Sequence, residues 1–263
     1  MPEALINLPY DLNELTRNLV TEAETSMGNF FSAKQRRFLV EPLYSSWQPP
    51  LLEDETAVAT PRKFLVDTNV GIFTSPYQPP IVPDIFLSLD VETNPEFFAD
   101  EQRAYFIWEF EKIPEVAVEI VSNRKGNEMD AKLRRYAHLG VTYYVVFDPF
   151  LVLNSEKLQI YELGFGRCYR QRRDLILPDV GLSLQLWLGN FEGATDEWLR
   201  WCDMDGNLIP TGSERARAAN AKVAAANERA NIAKWLLATE TERTNTMEVE
   251  FENLRAELQR LKS

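Results

Sequence analysis

The sequence predicts a mixed α/β fold of the α+β kind: a mixed β-sheet core flanked by helices, followed by a long C-terminal coiled-coil helix. Three observations predict it. Residues 114–149, "PEVAVEIVSNRKGNEMDAKLRRYAHLGVTYYVVFDP", change period from two to 3.6 and back, as strand, turn, helix and strand do. The first strand is apolar at both alternating sets, Val116, Val118 and Ile120 against Ala117 and Val121, which marks a central strand covered on both faces. After Gly212 the composition shifts to Ala, Glu, Arg and Asn, with no Gly or Pro to the end.

Residues 10–47 carry apolar positions at helical spacing in "DLNELTRNLVTEAE" and "KQRRFLVEPLYSSW", and Pro42 is expected to bend or end the second helix. Pro49, Pro50 and the acidic "EDET" form a loop. "KFLVDTNVGIFTS" and "IVPDIFLSLDV" read as short strands separated by "PYQPP", whose prolines forbid a continuing ladder. A short helix is expected within "DEQRAYFIWEFEK". A strand over 115–122, a helix over about 127–139 ending near Gly140, and the strand "TYYVVFDP" follow. Two hairpins are then expected, one turning at "GFG" after "KLQIYEL", the other at Asp205-Gly206 within "EWLRWCDMDGNLIP".

The domain boundary is expected at the composition shift, giving residues 1–212 and 213–263. In the second part Val223, Ala226, Ala230, Ala233, Leu237, Glu240, Thr244, Met247, Phe251, Leu254, Leu258 and Leu261 follow 3-4 spacing. A lone helix would expose that stripe, so a homodimer or higher oligomer is expected; a single helix that folds back on the domain, or frays, is the alternative.

Composition narrows the chemistry. With 263 residues, 45% hydrophobic and 26% charged, the chain can bury one sizeable core. It carries no run of about eighteen apolar residues and no N-terminal signal pattern, and its two cysteines, Cys168 and Cys202, cannot form a disulfide framework. A reduced cytoplasmic protein with no membrane partner is therefore expected. One His and two Cys exclude a zinc centre built on soft ligands, so any metal must sit on carboxylate oxygens. A net charge of −12 opposes coating of nucleic acid by bulk attraction. It leaves room for local basic tracks at Arg124, Lys125, Lys132, Arg134 and Arg135, and at Arg167, Arg170, Arg172 and Arg173, although solvated surface is the plainer reading of either track.

One residue breaks the apolar strand. Glu119 lies between Val118 and Ile120, where an unpaired carboxylate costs several kcal/mol, so it must be protonated, ion-paired or metal-bound. Asp84 opens another apolar strand, "PDIFLSL". If the two strands are neighbours, Asp84, Glu119 and the backbone carbonyl of Ile120 suffice for Mg²⁺ or Mn²⁺, which takes a few hard oxygens and keeps several waters. Such an ion lowers the pKa of bound water and stabilises charge developing on a phosphate. Lys132 sits at the edge of a helical stripe with Met129, Leu133, Tyr136 and Ala137, able to lean toward Glu119. The competing readings are a surface pair of Lys132 with Glu128, and an arginine partner for Glu119. No Gly-rich phosphate loop or G-x-S-x-G is present, and His138 reads as a helix-surface residue.

The stretches "VPDIFLSL" and "WEFEKIPEVAVEIVSNRKGNEMDAKLRRYAHLGVTYYVVFDP" resemble the Uma family of restriction endonucleases, in the PD-(D/E)XK nuclease superfamily. The likeness covers roughly residues 24 to 190, and the C-terminal coiled coil resembles that of cyanobacterial members. What it implies is a restriction-endonuclease-like core and a Mg²⁺-dependent endonuclease acting on phosphodiester bonds of DNA. Asp84 and Glu119 match the metal-binding acids, and Lys132 matches the helix lysine. The chain departs from the pattern twice. Val121 stands where the superfamily places a lysine, and Asn29 stands near Met27 where relatives carry an acid. Glu22, Glu24 and Glu41 are the candidate replacements. These departures imply the alternative, a catalytically degenerate nuclease fold serving as a nucleic-acid- or protein-binding and assembly module.

Overall fold

A computed structural model describes residues 29–51, 62–92, 104–121, 128–153 and 156–262. The expected helix in "DLNELTRNLVTEAE", the "EDET" loop, Glu22 and Glu24 lie outside the described residues. By contacts the chain divides into two units, residues 1–211 and 212–263.

The first unit opens with helix α1 (Phe30–Ser46), capped by Asn29, whose side-chain oxygen accepts from the Ser32 N–H at 2.7 Å. Pro42 lies inside this helix and does not end it. Burial of Phe38, Leu39, Pro42 and Leu43 outweighs the one backbone hydrogen bond that proline removes.

Strands β1 (Phe64–Thr68) and β3 (Ile85–Leu89) are antiparallel neighbours. Between them β2 (Ile72–Phe73) pairs in parallel with β4 (Tyr105–Phe106), which runs into the one-turn helix α2 (Ile107–Phe110). The predicted strand–helix–strand unit is β5 (Val116–Ile120), α3 (Glu128–Leu139) and β6 (Tyr143–Phe147). As the wide crossover requires, β5 and β6 are parallel. Gly140 adopts φ +104 and stops α3. The hairpin of β7 (Leu158–Gly164) and β8 (Cys168–Gln171) turns at Phe165-Gly166-Arg167. Together these strands form a mixed sheet in the order β1-β3-β5-β6-β7-β8.

A second, antiparallel sheet contains β9 (Ile176–Leu177), β10 (Leu182–Phe191) and β11 (Ala194–Cys202), with β10 in the middle. The principal partner of "EWLRWC" is therefore β10, and the expected turn at Asp205-Gly206 closes only the bridge of Cys202 with Leu208. Glu192 and Gly193 both have positive φ, 47 and 76, and make the two-residue turn of the β10–β11 hairpin.

The alternation of β5 sorts its residues onto two cores. Val116, Val118 and Ile120 face Leu39 and Leu43 of α1, Trp47 just past its end, and the second sheet. Ala117 faces Tyr136 and Leu139 of α3. Glu119 shares this α3 side of the sheet.

The second unit is a single helix, α4 (Gly212–Lys262), of 51 residues. Among the described residues, no helix is long and apolar enough to cross a membrane.

Candidate active site

Strand register brings the two acids together. Ile85 pairs with Val118, so Asp84, one residue upstream, stands opposite Glu119, one residue downstream. The β3 ladder ends there, and Asp84 takes over its role: Oδ2 accepts the Ile120 N–H at 2.8 Å. Its other oxygen, Oδ1, accepts from Arg36 Nη1 at 2.8 Å, and the same nitrogen donates to Asn69 Oδ1 at 3.2 Å. Both members of the Arg36–Asp84 pair are largely covered.

Glu119 is 7% exposed and fully engaged. Lys132 Nζ donates to Oε2 at 2.7 Å, and the buried Tyr136 hydroxyl donates to Oε1 at 2.8 Å. These donors lie one helical turn apart on α3, the spacing that puts two side chains on one face. Lys132 keeps 36% of its side chain exposed, so this side of the site meets solvent.

Burial pushes the Glu119 carboxyl up to about 7, against the opposing pull of the Lys132 ammonium and with a further push from the Asp84 charge. Burial and the neighbouring Glu119 hold the Tyr136 phenol well above its ordinary value, so it serves as a hydrogen-bond donor. Two acids and two basic side chains thus meet in one place, Asp84 bonded to Arg36 and Glu119 to Lys132.

The sequence-predicted residues Asp84, Glu119, Ile120 and Lys132 are all brought to this place. Lys132 turns to Glu119; the side chain of Glu128 lies outside the described residues. Val121 packs among the apolar residues facing α3. Asn29 is spent on capping α1, and Glu41 is exposed on the same helix. His138 is exposed, as expected. Of the second basic track, Arg172 is consumed by Glu162 and Asp174, whereas Arg134 and Arg135 remain exposed on α3.

Sequence reading missed Arg36. It lies 48 residues from Asp84 in a helix whose basic run "KQRR" marks none of its members, and only the packing of α1 beside β3 singles it out.

Among the described residues, no group of three or more His, Cys, Asp or Glu side chains is placed to hold a metal. The donor set is two carboxylates from adjacent strands. Hard oxygens of this kind suit Mg²⁺ or Mn²⁺ when water completes the shell. Each carboxylate oxygen already accepts one hydrogen bond, so a cation must compete with Arg36 and Lys132.

No curated protein and no solved structure matches the chain. A family profile does match, over residues 33–194, which spans α1 to the start of β11 and includes Arg36, Asp84, Glu119, Lys132 and Tyr136 while leaving out α4. With more than half of its length matched, the chain belongs to the Uma2 family, described as "putative restriction endonuclease".

Proposed function

We propose that this chain is a metal-dependent endonuclease that hydrolyses phosphodiester bonds of DNA, with Asp84, Glu119 and the Ile120 carbonyl as ligands of Mg²⁺ or Mn²⁺. The observation that carries the reading is the meeting of Asp84 and Glu119 across neighbouring strands, with Lys132 2.7 Å from Glu119 and open to solvent. Family membership supports a nucleic-acid substrate. A bound divalent cation supplies an acidified water and charge stabilisation on the phosphate. The chain's own residues prepare the rest. Tyr136 holds the Glu119 carboxylate in one orientation, and the Ile120 N–H does the same for Asp84. Lys132, released from Glu119, presents its ammonium to a phosphate oxygen. Exposed Arg134 and Arg135 on the same helix supply local positive charge for a phosphate backbone despite the acidic whole.

Plasmid incubated with Mg²⁺ or Mn²⁺ tests this. Cleavage is expected for the native chain, with a loss of about 10²-fold or more in Glu119→Gln and Lys132→Met. Cleavage unchanged in Glu119→Gln rejects the assignment.

One observation favours a second reading. Arg36 already neutralises Asp84, as a fixed cation in place of a metal, and this supports a degenerate nuclease fold that binds or assembles without cutting. Calorimetric titration with Mn²⁺ separates the two. For a metal site, Arg36→Gln removes the competing charge and tightens Mn²⁺ binding by about tenfold, roughly 1.4 kcal/mol. For a degenerate site, neither protein binds Mn²⁺. We also infer that copies of the chain associate through α4.

A further inference from the structure

The 51-residue helix α4 spans about 77 Å and carries an apolar seam with no cover among the described residues. Met247, Phe251, Leu254, Leu258 and Leu261 alternate at three and four residues and are between 57% and 81% exposed. In heptad terms Phe251 and Leu258 are a positions; Met247, Leu254 and Leu261 are d positions. Exposed apolar residues in an unbroken 3-4 pattern mark a helix face made for another helix. The flanking charges decide which helix.

Positions flanking the seam carry Arg243 and Glu250 at g, and Glu248 and Arg255 at e. In a parallel, in-register pair each g residue meets the e residue five positions on in the partner. Arg243 then faces Glu248 of the second copy, and Glu250 faces Arg255, each twice by symmetry. Every one of these contacts is attractive. The antiparallel alignment that keeps Phe251 on Leu254 sets Glu250 against Glu257 twice, a repulsion that cancels the attraction of Glu248 for Arg255 in the same alignment. Register is constrained as well. Glu240 and Thr244 interrupt the seam, and a slip of one heptad sets Met247 on Glu240 and Phe251 on Thr244. In register, all five apolar layers stay intact.

We infer that the partner of this face is a second copy of the same chain, paired as a parallel, in-register two-stranded coiled coil through residues 243–261. The inference stands independently of the nuclease reading, because it uses only the seam and the charges of α4.

Sedimentation equilibrium on the full chain is expected to give twice the 30.3 kDa of one chain. Glu250→Lys and Arg255→Glu are each expected to raise the dimer dissociation constant about tenfold, since two attractions become two repulsions. The double exchange, E250K with R255E, restores native affinity. Leu258→Cys, in a chain whose exposed Cys168 is replaced by Ser, is expected to form a disulfide-linked dimer on mild oxidation. Far-ultraviolet circular dichroism at high protein concentration verifies that each variant keeps its helix.

A monomer at every concentration overturns the inference, as does a mass of three or more chains. Tighter association of E250K overturns the parallel orientation, because only an antiparallel pair sets position 250 against Glu257. Absence of the Leu258→Cys cross-link overturns the register.

Discussion

Glu119 sits where the strand alternation demands an apolar side chain, and its cost depends on pH. In the unfolded chain its carboxyl titrates at the ordinary value near 4.5, while in the folded protein burial raises it to about 7. The folded state therefore holds the proton more tightly. Its stabilising contribution is full below pH 4.5 and is lost as the pH rises through 7. A shift of this size corresponds to about 3 kcal/mol. The native protein is accordingly expected to lose stability to urea between pH 5 and 8. Glu119→Gln, which cannot ionise, is expected to be flatter over that range and more stable than the native chain at pH 8.5. Parallel pH dependences for the two proteins contradict this account of the site. Arg36 belongs to the same scale. It holds Asp84 as Lys132 holds Glu119, so both acids keep a cation within hydrogen-bond reach in a crowded place. Glu119 and Lys132 were legible in the sequence because each disturbs or borders a regular local pattern. Arg36 borders none.

At the scale of elements, α1 and β11 are tied by contacts that span the chain. Gln35 is completely buried, and its amide donates to the Leu199 carbonyl and accepts from the Leu199 N–H, at 2.8 and 3.0 Å. A side chain thus does for an edge strand what another strand would do. Trp201 adds a bond from its indole nitrogen to the Leu39 carbonyl at 2.8 Å. This anchoring explains how α1 runs through Pro42 and carries Arg36 to Asp84. The hairpin that presents β11 depends on a turn with two positive φ values. At Gly193 an added Cβ meets nothing within 4 Å, so only backbone strain opposes a side chain. Gly193→Ala is expected to lower stability by about 1 kcal/mol, measured by urea unfolding, and Gly193→Asn by less. A loss of several kcal/mol would mean that the turn also packs against something. Glu192, the other turn residue, accepts from Arg37 on α1 through both carboxylate oxygens, which steadies its left-handed backbone.

For the whole molecule, the two units obey different physics. The first unit has a buried apolar core of its own, whereas the seam of α4 is exposed along its length. Stability of such a helix is tied to association, and association follows mass action. The helical signal of the full chain is expected to melt in two steps, and the midpoint of the step belonging to α4 should rise with protein concentration. A midpoint independent of concentration would mean that α4 is stable without a partner. Net charge enters here too. At −12 the molecule repels polyanions at long range, so Arg134 and Arg135 act only within about one Debye length, near 8 Å at physiological salt.

Local patterns were decided by the sequence alone: the two-faced strand holding Glu119, the helix carrying Lys132 and Tyr136 on one side, its stop at Gly140, and the heptad of α4. Each follows from residues within a few positions of one another, where backbone period dictates which side chains share a face. Tertiary structure alone decided that Arg36 meets Asp84, that β10 rather than the segment after Gly206 is the main partner of β11, and that Gln35 closes an edge 164 residues away. Those outcomes depend on how separate elements pack. Contacts between distant positions leave no period in the chain, because they are set by the shape and charge of surfaces that exist only after folding.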